Sequence, residues 1–375
     1  MRFGQKPGNR ARPPGPEPDG GIVMAGQVVR LPGITYNGAH PPTDDRIRRG
    51  YTGVADVTEP RSKTVLVTGA TGFLGDYVVP ALQNAGWHVR CAVNRNRQVP
   101  AAADSIAVGP LGADTDWSAA LQNVDAVVHL AARAHRARSV QDAERDQYFE
   151  TNTAGTLRLA AAAADAGVPH FVFASSILMH GTTTDGRAPF TETDTPAPRC
   201  IYGQSKAAAE EGLAALSARS GMAVTAIRPP LIYGRAAKGN FRQLTRVIGR
   251  GLPLPFGAVS NRRAFVSAEN IASFVAHRLA APAAGFEPFI VADDEQVSTG
   301  DFCRAIGRAL GRESRLLPVP PSLMRLGFRV LGASNLAVST LGSLEVDAGK
   351  ARATGWRPVV DQAEGLRRAL AGARA

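Results

Sequence analysis

Lys63-Thr-Val-Leu-Val-Thr68, followed at once by Gly69-Ala-Thr-Gly72-Phe-Leu-Gly75, is the stretch that decides the fold. Its first half is a short, apolar, β-branched run of the kind that forms a strand buried on both faces. Its second half spaces three glycines so that the chain can turn tightly, bring its backbone close to a pyrophosphate and pack the next helix onto the strand, with the anion at the helix N-terminus. A glycine-rich turn that merely follows a strand is the bland alternative, but the strand-loop-helix context favours dinucleotide binding. Gly69, Thr71, Gly72, Phe73, Leu74 and Gly75 are therefore candidate cofactor-binding residues.

Working outward, further strand candidates occupy 88–93, 125–130, 170–174 and 223–227, with Ala/Leu-rich helical stretches such as 153–166 and 205–218 between them. Such alternation implies an α/β fold with a doubly wound parallel (Rossmann) sheet. After Pro229 the alternation breaks up around the Pro-rich turns at 251–255 and 318–321, where a smaller C-terminal substrate-binding lobe is expected. The expected boundaries are a disordered Pro/Gly-rich extension at 1–61, a dinucleotide-binding domain at 62–231 with 264–281 returning to it, and the lobe at 232–263 and 282–375. Translation starting at Met24 is an alternative reading of the extension.

The chain has 375 residues and a net charge of +11, and of its 43 basic residues only five are lysines. A basic balance suggests an acidic partner: nucleic acid, anionic lipid or a phosphorylated small molecule. With no block of Lys/Arg and no basic-aromatic motif, nucleic acid is disfavoured. Cys91, Cys200 and Cys303 have neither metal-ligand nor disulfide spacing, so the expectation is a reduced, cytoplasmic protein without a metal. No membrane span or secretion signal is expected either.

The usual dinucleotide fingerprint puts an acidic residue about twenty positions beyond the glycines to hold the ribose hydroxyls. Here that region reads Val93-Asn94-Arg95-Asn96-Arg97. Asn94 and Arg95 join the cofactor candidates, and Arg95 or Arg97 facing a 2'-phosphate tilts the NAD or NADP choice slightly toward NADP. Two solvated loop arginines are the alternative.

Tyr202-Gly-Gln-Ser-Lys206 places a tyrosine and one of the rare lysines four apart, on one face of a helix. A compact ammonium can favour an ionised phenol and also donate to cofactor ribose hydroxyls, which makes Tyr202 a candidate acid/base. Ser176, after the strand at 170–174, can hydrogen-bond a substrate hydroxyl or carbonyl; taken alone, Ser175 and Ser176 would read as turn-capping hydroxyls.

These residues, with His129-Leu-Ala-Ala132, Asn152 before Gly155-Thr156, and Ser175-Ser176, resemble the extended short-chain dehydrogenase/reductases. Within them the likeness is to the NAD-dependent nucleotide-sugar epimerase/dehydratase family, which includes UDP-glucose 4-epimerase-like and UDP-sugar 4-ketoreductase proteins. It spans residue 63 to the C-terminus, including the ending Gly342-Ser-Leu-Glu-Val-Asp347 to Gly355-Trp356-Arg-Pro358. The resemblance implies a catalytic Ser176, Tyr202 and Lys206, a cofactor site that includes Leu130, Ala131 and Ala132, and an ordering role for Asn152. It also implies a homodimer through the helices near Thr153 and Ser205. Relatives commonly read Tyr-Gly where this chain has His180-Gly181, so His180 is a departure without an assigned role. Sugar dehydratases carry Asp and Glu after the serine, whereas this chain has Ile177 and Leu178, which disfavours dehydration.

Arg228-Pro-Pro-Leu-Ile-Tyr233-Gly, Asn240-Phe241 and Asn261-Arg-Arg-Ala-Phe-Val266 resemble the segments that bind the nucleotide part of UDP-sugars. Arg263 can fork onto a pyrophosphate and Asn240 can donate to its oxygens; surface loop residues are the alternative for both. The expected activity is NAD(P)-dependent chemistry at C4 of a UDP-hexose or UDP-N-acetylhexosamine, as 4-epimerase or 4-ketoreductase. A reductase of a steroid-like or flavonoid-like ketone shares the Tyr/Lys core but has no use for a pyrophosphate site. A non-catalytic NAD(P)-binding scaffold or sensor has no use for an intact Ser176, Tyr202 and Lys206.

Overall fold

The structure, a computed structural model, describes residues 23–24, 27–28, 62–94, 103–134, 142–332 and 334–372. The chain divides into two units, Met1–Glu59 and Pro60–Ala375. In the first, Val23–Met24 pairs antiparallel with Gln27–Val28, a short ribbon where the sequence showed no strand pattern. The rest of the expected extension lies outside the described residues, as do Arg95 and Arg97.

Ten strands of the second unit are described: β1 (Thr64–Thr68), β2 (His88–Val93), β3 (Asp104–Ala107), β4 (Ala126–His129), β5 (His170–Ala174), β6 (Ala223–Arg228), β7 (Leu231–Tyr233), β8 (Arg263–Ser267), β9 (Phe286–Ile290) and β10 (Gln296–Val297). The helices are α1 (Gly75–Asn84), α2 (Asp142–Phe149), α3 (Gly155–Asp165), α4 (Ile201–Ser220), α5 (Asn240–Gly249), α6 (Ala268–Ala280), α7 (Thr299–Ala309), α8 (Pro321–Val330), α9 (Ser334–Leu341), α10 (Gly349–Ala353) and α11 (Gln362–Leu370).

Seven strands form one sheet in the order β9-β6-β5-β4-β1-β2-β3, every neighbouring pair parallel. Parallel pairing needs a crossover between strands, and helices supply it on both faces. Alternation along β1 shows the two layers: Val65 and Val67 pack with Val78, Val79 and Leu82 of α1 and with Phe274 and Val275 of α6, whereas Leu66 packs with Leu159 of α3 and Leu213 of α4. The doubly wound architecture expected from the sequence is thus the architecture observed.

The lobe differs from expectation at two strands. Arg263–Ser267, of which the sequence placed residues 264–267 in the dinucleotide-binding domain, is β8 of the lobe's own sheet. Phe286–Ile290, assigned by sequence to the substrate lobe, is β9 and closes the main sheet alongside β6. Its Pro288 cannot donate to a ladder and weakens a strand reading, but it is tolerated because β9 lies at the sheet edge. A second sheet, in the order β10-β8-β7, underlies the lobe, whose aromatic core stacks Phe265 on Phe302 at 3.8 Å between ring centroids.

The buried Asp293 joins the two regions. It accepts from the Tyr233 hydroxyl at 2.7 Å, the Ser267 amide at 3.0 Å and Asn270 Nδ2 at 2.7 Å. Asn270 in turn donates to the Val360 carbonyl at 2.9 Å and accepts from the Val359 and Val360 amides at 2.8 and 3.1 Å.

Candidate active site

The loop after β1 exposes Thr71 and Gly72 at the N-terminal end of α1. Gly69 has φ +73°, and a Cβ there would come within 2.7 Å of the Ala131 nitrogen. Only glycine adopts that backbone without strain while keeping clear of the Leu130–Ala132 segment. The loop and the end of β4 thus come into close backbone contact, which brings together Gly69, Leu130 and Ala131, three of the candidate cofactor residues. Phe73 and Leu74 are partly buried, Gly75 is buried, and Asn94 is exposed at the end of β2.

Beneath the loop runs a chain of polar contacts that the sequence reading missed. Thr68, opposite His129 in the sheet register, lies 2.6 Å from His129 Nδ1, and His129 Nε2 lies 2.9 Å from Thr156 Oγ1. The Thr156 hydroxyl donates to the Asn152 carbonyl at 2.7 Å, so Nε2 carries the proton and Nδ1 accepts from Thr68. A neutral ring follows, and burial, reinforced by Lys206, pushes His129 down to about 3. The placement of a histidine at the end of an otherwise apolar strand was the available signal.

Asn152 is fully buried in a single π turn, Glu150–Ala154, between α2 and α3. Such turns are frequent at functional sites because they re-aim a side chain. Asn152 accepts from the Arg133 amide at 2.7 Å and donates to the Arg133 carbonyl at 3.1 Å and to Ser205 Oγ at 3.0 Å. It therefore ties the segment after β4 to α4, one residue before Lys206.

Helix α4 begins at Ile201, earlier than the Ser205 start read from sequence. Cys200, not a preferred capping residue, accepts from the Gly203 amide through Sγ at 3.4 Å. Tyr202 and Lys206 consequently share one helical face at the start of a 20-residue helix. Gly203 matters for placement: a Cβ there would lie 3.0 Å from the Leu178 carbonyl carbon, so the first turn of α4 packs directly on the 3₁₀ turn Ile177–Met179 that follows Ser176. Ser176 caps that turn by accepting from the Leu178 amide at 3.2 Å. Lys206 is buried, donates to the Ala174 carbonyl at the end of β5 at 2.6 Å, and lies 4.3 Å from the Phe173 ring and 5.9 Å from the Tyr202 ring. The structure thus gathers Ser176, Tyr202, Lys206 and Asn152 at the ends of β4 and β5.

Electrostatics correct one expectation. Burial raises the Tyr202 phenol well above its ordinary value, with Cys200 and Tyr148 adding to the effect, where the sequence reading expected Lys206 to lower it. The ammonium is engaged by Ala174, and burial pushes Lys206 down to about 7 against the opposing pull of Glu210. Two groups sharing a dry site both resist charging until another charge arrives.

Behind Ser176 sits a second network absent from the sequence reading. Ser175 Oγ donates to Glu210, which pairs with Arg228 at 2.6 Å, both side chains buried. Arg228 also donates to His180 Nε2 at 3.0 Å and to the Glu192 carbonyl at 2.8 Å. His180 stacks on Phe190 and is pushed down to about 4, chiefly by burial and then by Arg228. Arg228, within a segment resembling a nucleotide-binding one, is thus committed to an internal ion pair, and His180 gains a role as its neutral acceptor.

Asn240 and Arg263 line one apolar cavity of about 170 Å³ with Phe241, Leu254, Phe256 and Thr340. Asn240 is exposed at the start of α5. Arg263 is buried, donates to the Gly342 carbonyl at 2.7 Å, and is pushed down to about 10 by burial against the opposing charge of Asp185. No cluster of metal-ligating side chains occurs among the described residues.

The buried neutral histidines predict an acid-sensitive fold. His129, His170 and His180 sit at about 3, 4 and 4, chiefly because of burial, below the ordinary histidine value of 6.5. Between 6.5 and those values the unfolded chain binds protons that the folded chain refuses, so stability falls as pH falls, by about 1.4 kcal/mol per pH unit for each such histidine. Tm measured from pH 7 to pH 4 should decline through this window; a flat profile would refute the neutral assignments.

Against known proteins, the NAD dependent epimerase/dehydratase family model matches residues 65–292. A UDP-glucose 4-epimerase of Vibrio cholerae is 37% identical over 312 residues, covering 81% of this chain and 94% of that protein. An N-acetyl-α-D-glucosaminyl-diphospho-ditrans,octacis-undecaprenol 4-epimerase of Escherichia coli O157:H7 is 27% identical over 321 residues, covering 82% and 94%. The solved structure of a Thermus thermophilus UDP-glucose 4-epimerase complex with NAD is similar with a TM-score of 0.64 at 26% identity, covering 83% and 99%.

Proposed function

The chain belongs to the NAD-dependent epimerase/dehydratase family, and from that premise we propose that it inverts C4 of a UDP-hexose or UDP-N-acetylhexosamine through Ser176, Tyr202 and Lys206. The observation that carries the site assignment is the packing of the first turn of α4 on the turn after Ser176, with Lys206 held against the Ala174 carbonyl. The loop 69–75 and the 130–132 segment hold the dinucleotide, and NAD is the form bound by the solved relative. When bound, the dinucleotide supplies the hydride acceptor and a positive charge beside the phenol.

In this reading Tyr202 holds and moves the proton of the C4 hydroxyl, because its helix turn faces the serine-bearing loop. Ser176 hydrogen-bonds the same oxygen and shares its proton. Lys206 meets ribose hydroxyls and favours the phenolate once the site is filled. Asn240 and Arg263 line a cavity that would seat the nucleotide end, with apolar walls for a base and a guanidinium for the diphosphate. Assembly as a homodimer through α3 and α4 belongs to the same proposal.

The 4-ketoreductase reading uses the same groups but releases its cofactor at every turnover. Denaturing the purified protein and quantifying the released nicotinamide by mass spectrometry separates the two. One NAD per chain is expected. An empty site that then binds NADPH in preference to NADH would replace the epimerase with a ketoreductase and give Arg95 or Arg97 a role. A chain that interconverts no UDP-sugar at C4 in either cofactor state would overturn the proposal.

A further inference from the structure

The large apolar side chains left exposed in this structure are concentrated in one place. Among the described residues, all of them apart from Val359 are Leu252 or lie between Leu317 and Val338. Helix α8 is the centre of the cluster: Leu323 is 58% exposed, Leu326 59%, and Val330 and the following Leu331 78% each. Residues 323, 326 and 330 fall on one helical face at i, i+3 and i+7. The helix reaches its own core through a different stripe, Met324 and Phe328, which pack into the aromatic centre of the lobe. Its outer face has no covering element among the described residues.

Charge on the same helix narrows the partner. Arg325 and Arg329 are exposed, spaced one turn apart, and by the helical angle they lie beside the apolar stripe on the side away from Met324. Exposed Arg308, Arg312 and Arg315 precede them, and Glu313 is the lone acid between residues 308 and 341. The apolar residues are aliphatic, and among the described residues there is no exposed Trp or Tyr of the kind that anchors protein interfaces. Arg325 has the carboxylate of Asp185 nearby, but the exposed arginines of this stretch far outnumber its acids. Aliphatic side chains beside such an excess of guanidinium groups match an acyl-chain boundary topped by anionic headgroups.

We propose that α8 docks this protein on an anionic lipid surface, lying in the plane of the interface with Leu323, Leu326 and Val330 in the acyl boundary and Arg325 and Arg329 among the headgroups. This goes beyond the proposed reaction and does not rest on it. Helix α9 follows directly, and its Leu336, Ser339 and Thr340 line the Asn240/Arg263 cavity. Docking through α8 therefore brings that cavity close to the headgroup layer.

The test is flotation of the full chain with vesicles of phosphatidylcholine, alone or mixed with phosphatidylglycerol, at low and high salt. The wild type is expected to float with the mixed vesicles only, and less at high salt. A Leu323→Gln/Leu326→Gln/Val330→Gln variant keeps every arginine, including those of the N-terminal segment, and should lose at least about tenfold in bound fraction at unchanged Tm and unchanged NAD binding. Arg325→Gln/Arg329→Gln should bind more weakly and lose part of the salt dependence. Unaltered flotation of the apolar variant would overturn the proposal, as would wild-type binding indifferent to phosphatidylglycerol or absent altogether. Sedimentation showing a wild-type assembly that the apolar variant dissolves would assign the face to a second copy of the chain and overturn it equally.

Discussion

Tyr202→Phe is expected to lower turnover by about 10²–10⁴-fold, the range that a positioned proton-transfer group contributes, while NAD binding stays within about twofold of wild type. The change removes one hydroxyl and leaves the ring in its place 5.9 Å from the Lys206 ammonium, so the fold should be untouched. Because burial holds this phenol above its ordinary value, the tyrosine is a poor base until the site is filled, and the residual rate of the variant should lose the pH dependence that the phenol imposes. Steady-state rates paired with a cofactor-binding titration separate the two effects. Wild-type turnover in the variant would remove Tyr202 from the chemistry, and a parallel collapse of NAD binding would recast it as a cofactor ligand.

Glu210→Ala is expected to cost about 3–5 kcal/mol of stability, the usual result of stripping one partner from a buried ion pair, and to lower Tm by roughly 5–8 °C. Arg228 would be left buried with only His180 and the Glu192 carbonyl as acceptors, and Ser175 would keep only the weak Met179 sulfur contact at 3.9 Å. The double variant Glu210→Leu/Arg228→Met should recover most of the loss, since a well-packed apolar pair is often as stable as the ion pair it replaces. A single variant that melts within a degree of wild type would show that the network contributes little to the fold.

Sequence made some of this visible and hid the rest for identifiable reasons. The strands β1, β2, β4, β5 and β6 were legible because each is mostly apolar and mostly buried in the main sheet. By contrast β3 is short and mostly exposed, and β9 carries Pro288, so neither has the composition of a central strand. The Tyr202/Lys206 pair was readable because four residues on a helix is a local geometry. Contacts such as Glu210 with Arg228, or Asn152 with Ser205 53 positions away, depend on the folded topology and leave no spacing to read. Lysine chemistry was half legible: the residue type announced itself in an arginine-rich chain, but its engagement with Ala174 depends on where β5 ends.

The Asp293–Asn270 junction has a consequence for how the protein is made. Asn270 bonds Val360, 90 residues later, so its amide completes its set of partners only after those further residues have been made. Until then the junction between sheet and lobe carries unpaired polar groups in an apolar setting, which costs free energy for as long as they go unpaired. A chain halted or clipped before Val359 would contain every residue of the candidate active site and still lack the closure that holds β8, α6 and Asp293 together. Cellular proteases could thereby tell finished from unfinished copies by a feature far from the chemistry, and mutations near residue 360 should show up first as low abundance.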